Sequence, residues 1–181
     1  MTNALDREMI SRGDARRWQL PGLGATGPAP SLRKRLMLFG QFVGDWEIFP
    51  PRSEWKGSPP AAGGEVHFRW VLGGTAVQDI WGPLDNASRR LVPQGSTLRF
   101  YDPSLRAWRS TWISPYQRAV RRFVGGKVGR EIVLREQDQG WKGELWIFSE
   151  ITKNSFRWRA EARPSRRAKR RITEDYLLRR R

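Results

Sequence analysis

The chain of 181 residues contains no cysteine and only one histidine. Without cysteine it can form neither a disulfide framework nor a thiolate metal site, so packing must supply its stability. A single histidine and the lack of a Gly-x-Ser-x-Gly elbow argue against a serine triad. No acidic pair has the spacing of metal ligands, and there is no phosphate-binding loop. We therefore expect no metal and no cofactor.

Long apolar runs are also missing. No stretch approaches the ~20 apolar residues that a membrane-spanning helix needs. The N-terminal residues include Asp6, Arg7 and Glu8 and contain no hydrophobic signal core. The sequence therefore predicts a cytoplasmic protein without a transmembrane segment.

Acidic residues are scarce relative to basic ones. The chain has 34 Lys and Arg against 18 Asp and Glu, a formal net charge of +16. Residues 163–181 alone contain nine basic and two acidic residues. The residues that could contact a polyanion there are Arg166, Arg167, Lys169 and Arg170. Charge runs are more often solvated turns or tails. Binding of nucleic acid or another polyanion through this basic C-terminal surface is therefore possible but is not the favoured function.

Aromatic residues, by contrast, are abundant and regularly spaced. Ten Trp and eight Phe often recur at every second residue, as in 66–70 and 155–160. That period is typical of strands with one buried and one solvated face. Glycine pairs, Asp-Pro and other turn residues separate the runs. Strands are predicted at about 45–49, 64–72, 75–82, 96–101, 106–113, 117–124, 128–136, 141–150, 155–162 and 172–178.

These nine or ten short strands predict a mainly β fold, an antiparallel up-and-down barrel, with a two-sheet sandwich as the alternative. Residues 1–30 combine mixed charges with a Pro/Gly-rich stretch and predict a flexible N-terminal arm. Residues 31–181 form a single β-barrel domain. Ser31 is the expected N-cap of a short helix at about 32–42, which closes one end of the barrel. Apolar residues at helical spacing support this helix: Leu32, Leu36, Phe39 and Val43.

Three stretches carry a resemblance to a known family. They are Phe42-Val43-Gly44-Asp45-Trp46-Glu47, Phe68-Arg69-Trp70-Val71-Leu72-Gly73-Gly74, and Phe100-Tyr101-Asp102-Pro103 leading to Trp108 and Ser110-Thr111-Trp112. In this order, over about 32–162, the chain resembles the bacterial domain of unknown function 1579. The resemblance implies a calycin-like barrel of the lipocalin and fatty-acid-binding-protein group. The chain departs from the family at 162–170, where the family has a Ser-x-Asp-Gly-Gly-x-Thr-Trp-like turn.

The alternation of the strands also assigns side chains to the barrel interior. Leu98 is expected to point inward and Arg99 outward. A mostly apolar concavity with a few polar groups is the usual small-molecule site. The residues predicted to line it are Phe68, Trp70, Asp79, Trp81, Phe100, Trp108, Ser110, Trp112, Arg121, Phe156 and Trp158.

Two polar residues need separate comment. A buried Asp79 requires a partner, for which the sequence offers Arg121 or the Tyr101 hydroxyl. His67 has the parity of Arg69 and is therefore expected to face outward, although calycin barrels can hold haem through an inward histidine. A one-residue shift in register would reverse any of these orientations.

The favoured function is binding of a small apolar or aromatic molecule inside a lipocalin-like barrel, in a cavity of at least roughly 300 Å³. The first alternative is a barrel enzyme of the cyclase or isomerase type, acting on a small biosynthetic intermediate. The second is polyanion binding through the basic C-terminal surface. The same aromatic rings could also simply fill a core.

Overall fold

A computed structural model describes residues 24–58 and 60–181. This part of the chain forms a closed barrel of ten antiparallel strands, each paired with its neighbours in sequence, and β10 pairs with β1. The prediction of an up-and-down barrel with a short N-terminal helix is thereby confirmed. The strands are β1 (Gly44–Phe49), β2 (Gly64–Val71), β3 (Ala76–Pro83), β4 (Gly95–Asp102), β5 (Ala107–Ser114), β6 (Ala119–Val128), β7 (Glu131–Glu136), β8 (Leu145–Ser149), β9 (Ser155–Ala162) and β10 (Arg171–Arg180).

The C-terminal strand closes the barrel. Leu178 pairs with Ile48 of β1, and Tyr176 pairs with Trp158 of β9. β10 therefore leaves neither neighbour with an unpaired edge, which would otherwise be open to association with other chains.

The helix α1 (Arg33–Gly40) follows a 3-10 turn at Pro30–Leu32. Its N-cap is Leu32, and no side chain caps it, so the prediction that Ser31 is the N-cap was wrong. Ser31 instead lies within the 3-10 turn, one residue before the N-cap Leu32. None of the described helices is both long and apolar enough to cross a membrane.

The predicted N-terminal arm lies mostly outside the described residues, which begin at 24. The described part runs along the barrel. The backbone N–H of Ala25 donates to the carbonyl of Trp70, and that of Ala29 donates to the carbonyl of Gly74.

Aromatic rings fill the end of the barrel that α1 covers. The Phe39 ring on α1 lies 4.8 Å from Trp108 and 5.4 Å from Phe148, measured between ring centroids. Phe42, just after α1, lies 4.5 Å from Phe156. These edge-on and tilted contacts are the favoured geometry for aromatic pairs, and burial of each ring contributes about 1.5–3 kcal/mol. We call this region the closed half.

One predicted turn was wrong. Gly125-Gly126 lies within β6, and the chain turns instead at Gly129-Arg130, between β6 and β7. A Cβ at Gly125 would lie 1.9 Å from the carbonyl oxygen of Val133. Glycine is required there because the backbone of β7 comes too close for any side chain. In the sequence, such a glycine cannot be distinguished from one that marks a turn.

Candidate functional site

A cavity of about 100 Å³ occupies the half of the barrel opposite α1. It reaches the surface near Gln117 and Glu174, which are exposed. We call this region the open half. The cavity is smaller than the roughly 300 Å³ expected from sequence, so that prediction of size was wrong. The lining residues are Ile48, Val66, Phe68, Asp79, Trp81, Thr97, Arg99, Trp112, Gln117, Arg121, Trp146, Phe148, Phe156, Trp158, Glu174, Tyr176 and Leu178.

A belt of aromatic rings forms much of the cavity wall. Trp112 lies at the centre of one part, with ring centroids 6.1 Å from Trp81 and 6.0 Å from Trp146. Trp158 continues the belt, 5.5 Å from Trp146 and stacked on Tyr176 at 5.9 Å. Because each ring is braced by the next, the belt presents a stable apolar surface to the cavity.

Gly95, at the start of β4, lets the Trp112 ring approach the backbone closely. A Cβ at this position would come within 2.1 Å of the Trp112 ring. The absence of a side chain at Gly95 therefore determines where Trp112 sits in the wall.

A buried ion pair, Asp79 with Arg99, lies at the base of the cavity. Both residues are almost completely buried, Asp79 at 4% exposed and Arg99 at 3%. The Arg99 guanidinium donates from Nη1 to Oδ2 of Asp79, and the backbone N–H of Thr97 donates to Oδ1 at 3.2 Å. The predicted partners of Asp79, Arg121 and the Tyr101 hydroxyl, were therefore wrong.

This pairing reverses the predicted orientation of β4. Thr97 and Arg99 face inward, whereas Leu98 is half-buried and Phe100 is 42% exposed on the outer face. The predicted inward orientation of Leu98 and Phe100, and the outward one of Arg99, were wrong. The charge of Asp79 on β3 explains the reversal, because a buried carboxylate needs a cation on the adjacent strand.

The guanidinium of Arg99 also lies over aromatic rings of the closed half. It is 5.3 Å from the Phe39 centroid, 5.6 Å from Phe68 and 5.8 Å from Phe148. Arg99 therefore separates the filled end of the barrel from the cavity, and its cation–π contacts add to the ion pair.

Arg121 lines the cavity but is held by two glutamates rather than by Asp79. It donates to Oε1 of Glu136 from Nε and to Oε2 of Glu144 from Nη2, each at 2.8 Å. Burial alone would lower the pKa of Arg121, but the hydrogen bonds that it donates to the two carboxylates outweigh burial and raise the pKa. Likewise, burial would raise the pKa of Glu136, yet the bond from Arg121 leaves that pKa lowered. Arg121 and Glu136 are therefore charged together.

Glu174 and Tyr176 lie on β10, where both line the cavity. Desolvation raises the pKa of Glu174, and the negative charge of Glu144 raises it further. Desolvation also raises the pKa of Tyr176, with a second contribution from Glu174. Among the described residues, no Lys or Arg forms an ion pair with Glu174.

The structure brings together most of the side chains predicted to line the site. Trp70 and Trp108 are buried but pack in the closed half, where Trp70 contacts α1 at Gly40. Ser110 is buried and pairs across strands with Arg99, outside the cavity lining. The predicted residues that do line the cavity are Phe68, Asp79, Trp81, Trp112, Arg121, Phe156 and Trp158.

Sequence reasoning missed several lining residues. Trp146 and Phe148 lie on β8 with the same period-two pattern, so the pattern could have identified them. Glu174 and Tyr176 share one face of β10. They were not predicted to line the cavity because the sequence left the pairing of the last strand uncertain. The sequence signal for Arg99 was its place across the Asp102-Pro103 turn from Ser110, which shares a face of β5 with Trp108.

His67 faces outward, as expected. Its Nδ1 lies 2.6 Å from Oδ1 of Asp45 and its Nε2 lies 3.1 Å from Oε2 of Glu65. The ring is therefore engaged by the partly exposed Asp45 and the buried Glu65 and does not point into the barrel.

The basic cluster lies in the β9–β10 loop, at the same end of the barrel as the cavity opening. Arg166, Arg167 and Lys169 are exposed. Arg170 is half-buried and donates to the carbonyls of Gly143 and Glu161, both at 2.9 Å. Three of the four cluster residues are therefore exposed to solvent, while Arg170 is held by hydrogen bonds to the neighbouring backbone.

Comparison with known proteins gives no family assignment. No protein-family model matches the chain, and no curated protein matches it with significant similarity. Its similarity to the domain of unknown function 1579 family accordingly stays a prediction.

Proposed function

We propose that this protein binds a small, largely apolar or aromatic molecule in the open half of its barrel. The observation that carries the proposal is the cavity bounded by four tryptophans on one side and by a buried ion pair at its base. A concave apolar site with a few fixed polar groups is the usual form of a small-molecule site. Membership of the domain of unknown function 1579 family would agree with this proposal.

The asymmetry of the interior supports the proposal. In the closed half, Phe39 and Phe42 from the α1 segment occupy the space between the strands. The described chain provides no equivalent plug in the open half, although its wall rings are equally large. A barrel stabilised only by core packing would gain from filling both halves, since each unfilled methyl-sized space costs about 1 kcal/mol. The cavity volume limits the ligand to about the size of one substituted ring.

Toluene titration of the purified protein tests the proposal. Val66 is 4% exposed and lines the cavity, whereas Val120 is 68% exposed on the outer surface. Val66→Phe should fill the cavity and weaken toluene binding at least tenfold. Val120→Phe, the same change outside the barrel, should leave it unchanged. The affinity is measured from the NMR signals of toluene. Failure of the wild-type protein to bind toluene, or equal binding by both variants, would contradict the proposal.

Glu174 favours acid–base catalysis as a second candidate function. A carboxyl with a raised pKa at the rim of an apolar cavity is suited to move a proton on a bound molecule, as an isomerase requires. The wild-type protein should then accelerate exchange of the methyl protons of acetophenone with deuterium, measured by NMR. Glu174→Gln should abolish the acceleration. Exchange at the uncatalysed rate in the wild-type protein would eliminate this function.

A further inference from the structure

The charged side chains around the cavity form ion pairs, with the exception of Glu174. Arg99 is neutralised by Asp79, and Arg121 is shared between Glu136 and Glu144. Glu174 adds a further carboxylate at the rim. Four carboxylates thus lie near two guanidinium groups, although the chain as a whole has a net charge of +16. Of these four, Glu174 is the one that forms no ion pair with a Lys or Arg of the described residues.

The position of Glu174 makes its charge available to a ligand. It lies two residues before Tyr176 on β10, and its cross-strand partner is Ala160, which in turn pairs with Trp146. Trp158 pairs directly with Tyr176. The small side chain of Ala160 thus leaves Glu174 beside the rings of the belt on the same inner face.

Aromatic rings around a carboxylate are suited to bind an organic cation. The faces of indole and phenol rings are electronegative and attract an ammonium group, most strongly where water is excluded. The nearby carboxylate adds direct charge attraction without competing for the ring faces. In the closed half, Arg99 lies over three aromatic rings, so this barrel already stabilises an interior cation in this way.

We infer that the ligand of this cavity is a small organic cation, such as a quaternary or protonated amine. Its ammonium group lies among Trp146, Trp158 and Tyr176, with Glu174 as its counter-charge. This inference rests on the proposed function, since it specifies the class of molecule that the cavity binds. A ligand carboxylate is disfavoured because both cavity arginines are already neutralised.

Three probes of nearly equal shape separate charge from size: choline, the neutral 3,3-dimethylbutan-1-ol and the anion 3,3-dimethylbutanoate. Isothermal titration calorimetry on the full chain should show choline binding at least tenfold more tightly than the neutral alcohol, and the anion most weakly. Glu174→Gln keeps the shape of the side chain and should reduce the preference for choline to less than threefold. Glu54→Gln removes one negative charge from the exposed β1–β2 loop and should leave the preference unchanged.

The outcomes distinguish this inference from the proposed function. Equal binding of choline and the alcohol, or tighter binding of the anion, would overturn the inference and leave the proposed function standing, provided toluene binds. A preference for choline that survives Glu174→Gln would overturn the role of Glu174. If none of the three probes nor toluene binds, the proposed function fails, and the inference fails with it.

Discussion

Breaking the Asp79–Arg99 pair should destabilise the protein strongly. In Asp79→Ala, the Arg99 guanidinium loses its counter-charge at a site only 3% exposed. Removal of one partner of a buried ion pair typically costs about 3–5 kcal/mol. With a urea m-value of about 2–3 kcal/mol/M for a chain of this size, the unfolding midpoint should fall by about 1–2.5 M.

Removing both charges should be much less damaging. Among the described residues, Nε of Arg99 and Oγ of Ser110 are buried without a hydrogen-bond partner, so the polar cluster is already imperfectly satisfied. Replacement of a buried pair by apolar residues of similar volume is often neutral or stabilising. The free energy of unfolding of the double variant Asp79→Leu with Arg99→Met should therefore be higher than that of the wild-type protein or within about 1 kcal/mol of it.

The exposed pair of Arg122 with Asp138 provides the control. Both side chains are more than half exposed. Asp138→Ala should cost less than about 1 kcal/mol, because water screens the charge that remains. The free energy of unfolding of the wild-type protein and of the three variants is measured by urea unfolding, followed by tryptophan fluorescence. A loss below 1 kcal/mol for Asp79→Ala, or a double variant at least as unstable as Asp79→Ala, would refute the reasoning.

Three further predictions concern the cavity wall, its rim and barrel closure. Gly95→Ala should push the Trp112 ring away and lower the free energy of unfolding by about 1–3 kcal/mol, measured by urea unfolding; unchanged stability would contradict the packing described. Because the pKa of Glu174 is raised on folding, its contribution to stability is full below the ordinary value of 4.5 and declines as the pH rises through the folded value. Glu174→Gln should therefore stabilise the protein at pH 7 but not at pH 3, and a gain at both pH values would exclude a titration effect. Truncation after Ala162 removes β10 and should abolish cooperative thermal unfolding, whereas charge reversal of the basic cluster should preserve it. Retention of any salt-dependent polyanion binding by the charge-reversed protein would eliminate the cluster as the binding surface.

The sequence predicted the strands better than it predicted the site. Strand positions follow from turn residues and from aromatic side chains at every second position, both local signals. This is why even β10, within the Arg-rich C-terminal end, was predicted at about 172–178 and found at Arg171–Arg180. The turn at Gly125-Gly126 was mispredicted because glycine serves close backbone approach as well as turns.

The error in β4 had an identifiable physical cause. Apolar Leu98 and Phe100 fit an inward face better than Thr97 and Arg99 on hydrophobicity alone. The pairing of β4 with β5 in the following hairpin would have given the correct orientation of the β4 side chains. Asp102 pairs with Ala107 across the turn, which places Tyr101 opposite Trp108 and Arg99 opposite Ser110. Directly paired residues share a face, so an inward Trp108 requires an inward Arg99.

The volume and charge of the cavity could not be predicted from sequence. They depend on how the rings of β3, β5, β8 and β9 lean against one another and on which carboxylates reach Arg121. The long connection at 84–94 leaves the β3–β4 register unspecified by any tight turn. The pairing of Asp79 with a residue of β4 was therefore visible only in the folded barrel.

The most direct test of ligand binding in the open half uses the indole N–H signals of the tryptophans in a two-dimensional NMR spectrum. At saturating toluene, the signals of Trp81, Trp112 and Trp158 should shift, since all three line the cavity. The signals of Trp55 and Trp141, which lie outside the barrel, should stay in place. Shifts confined to Trp55 or Trp141, or no shift at any cavity tryptophan, would contradict binding in the open half of the barrel.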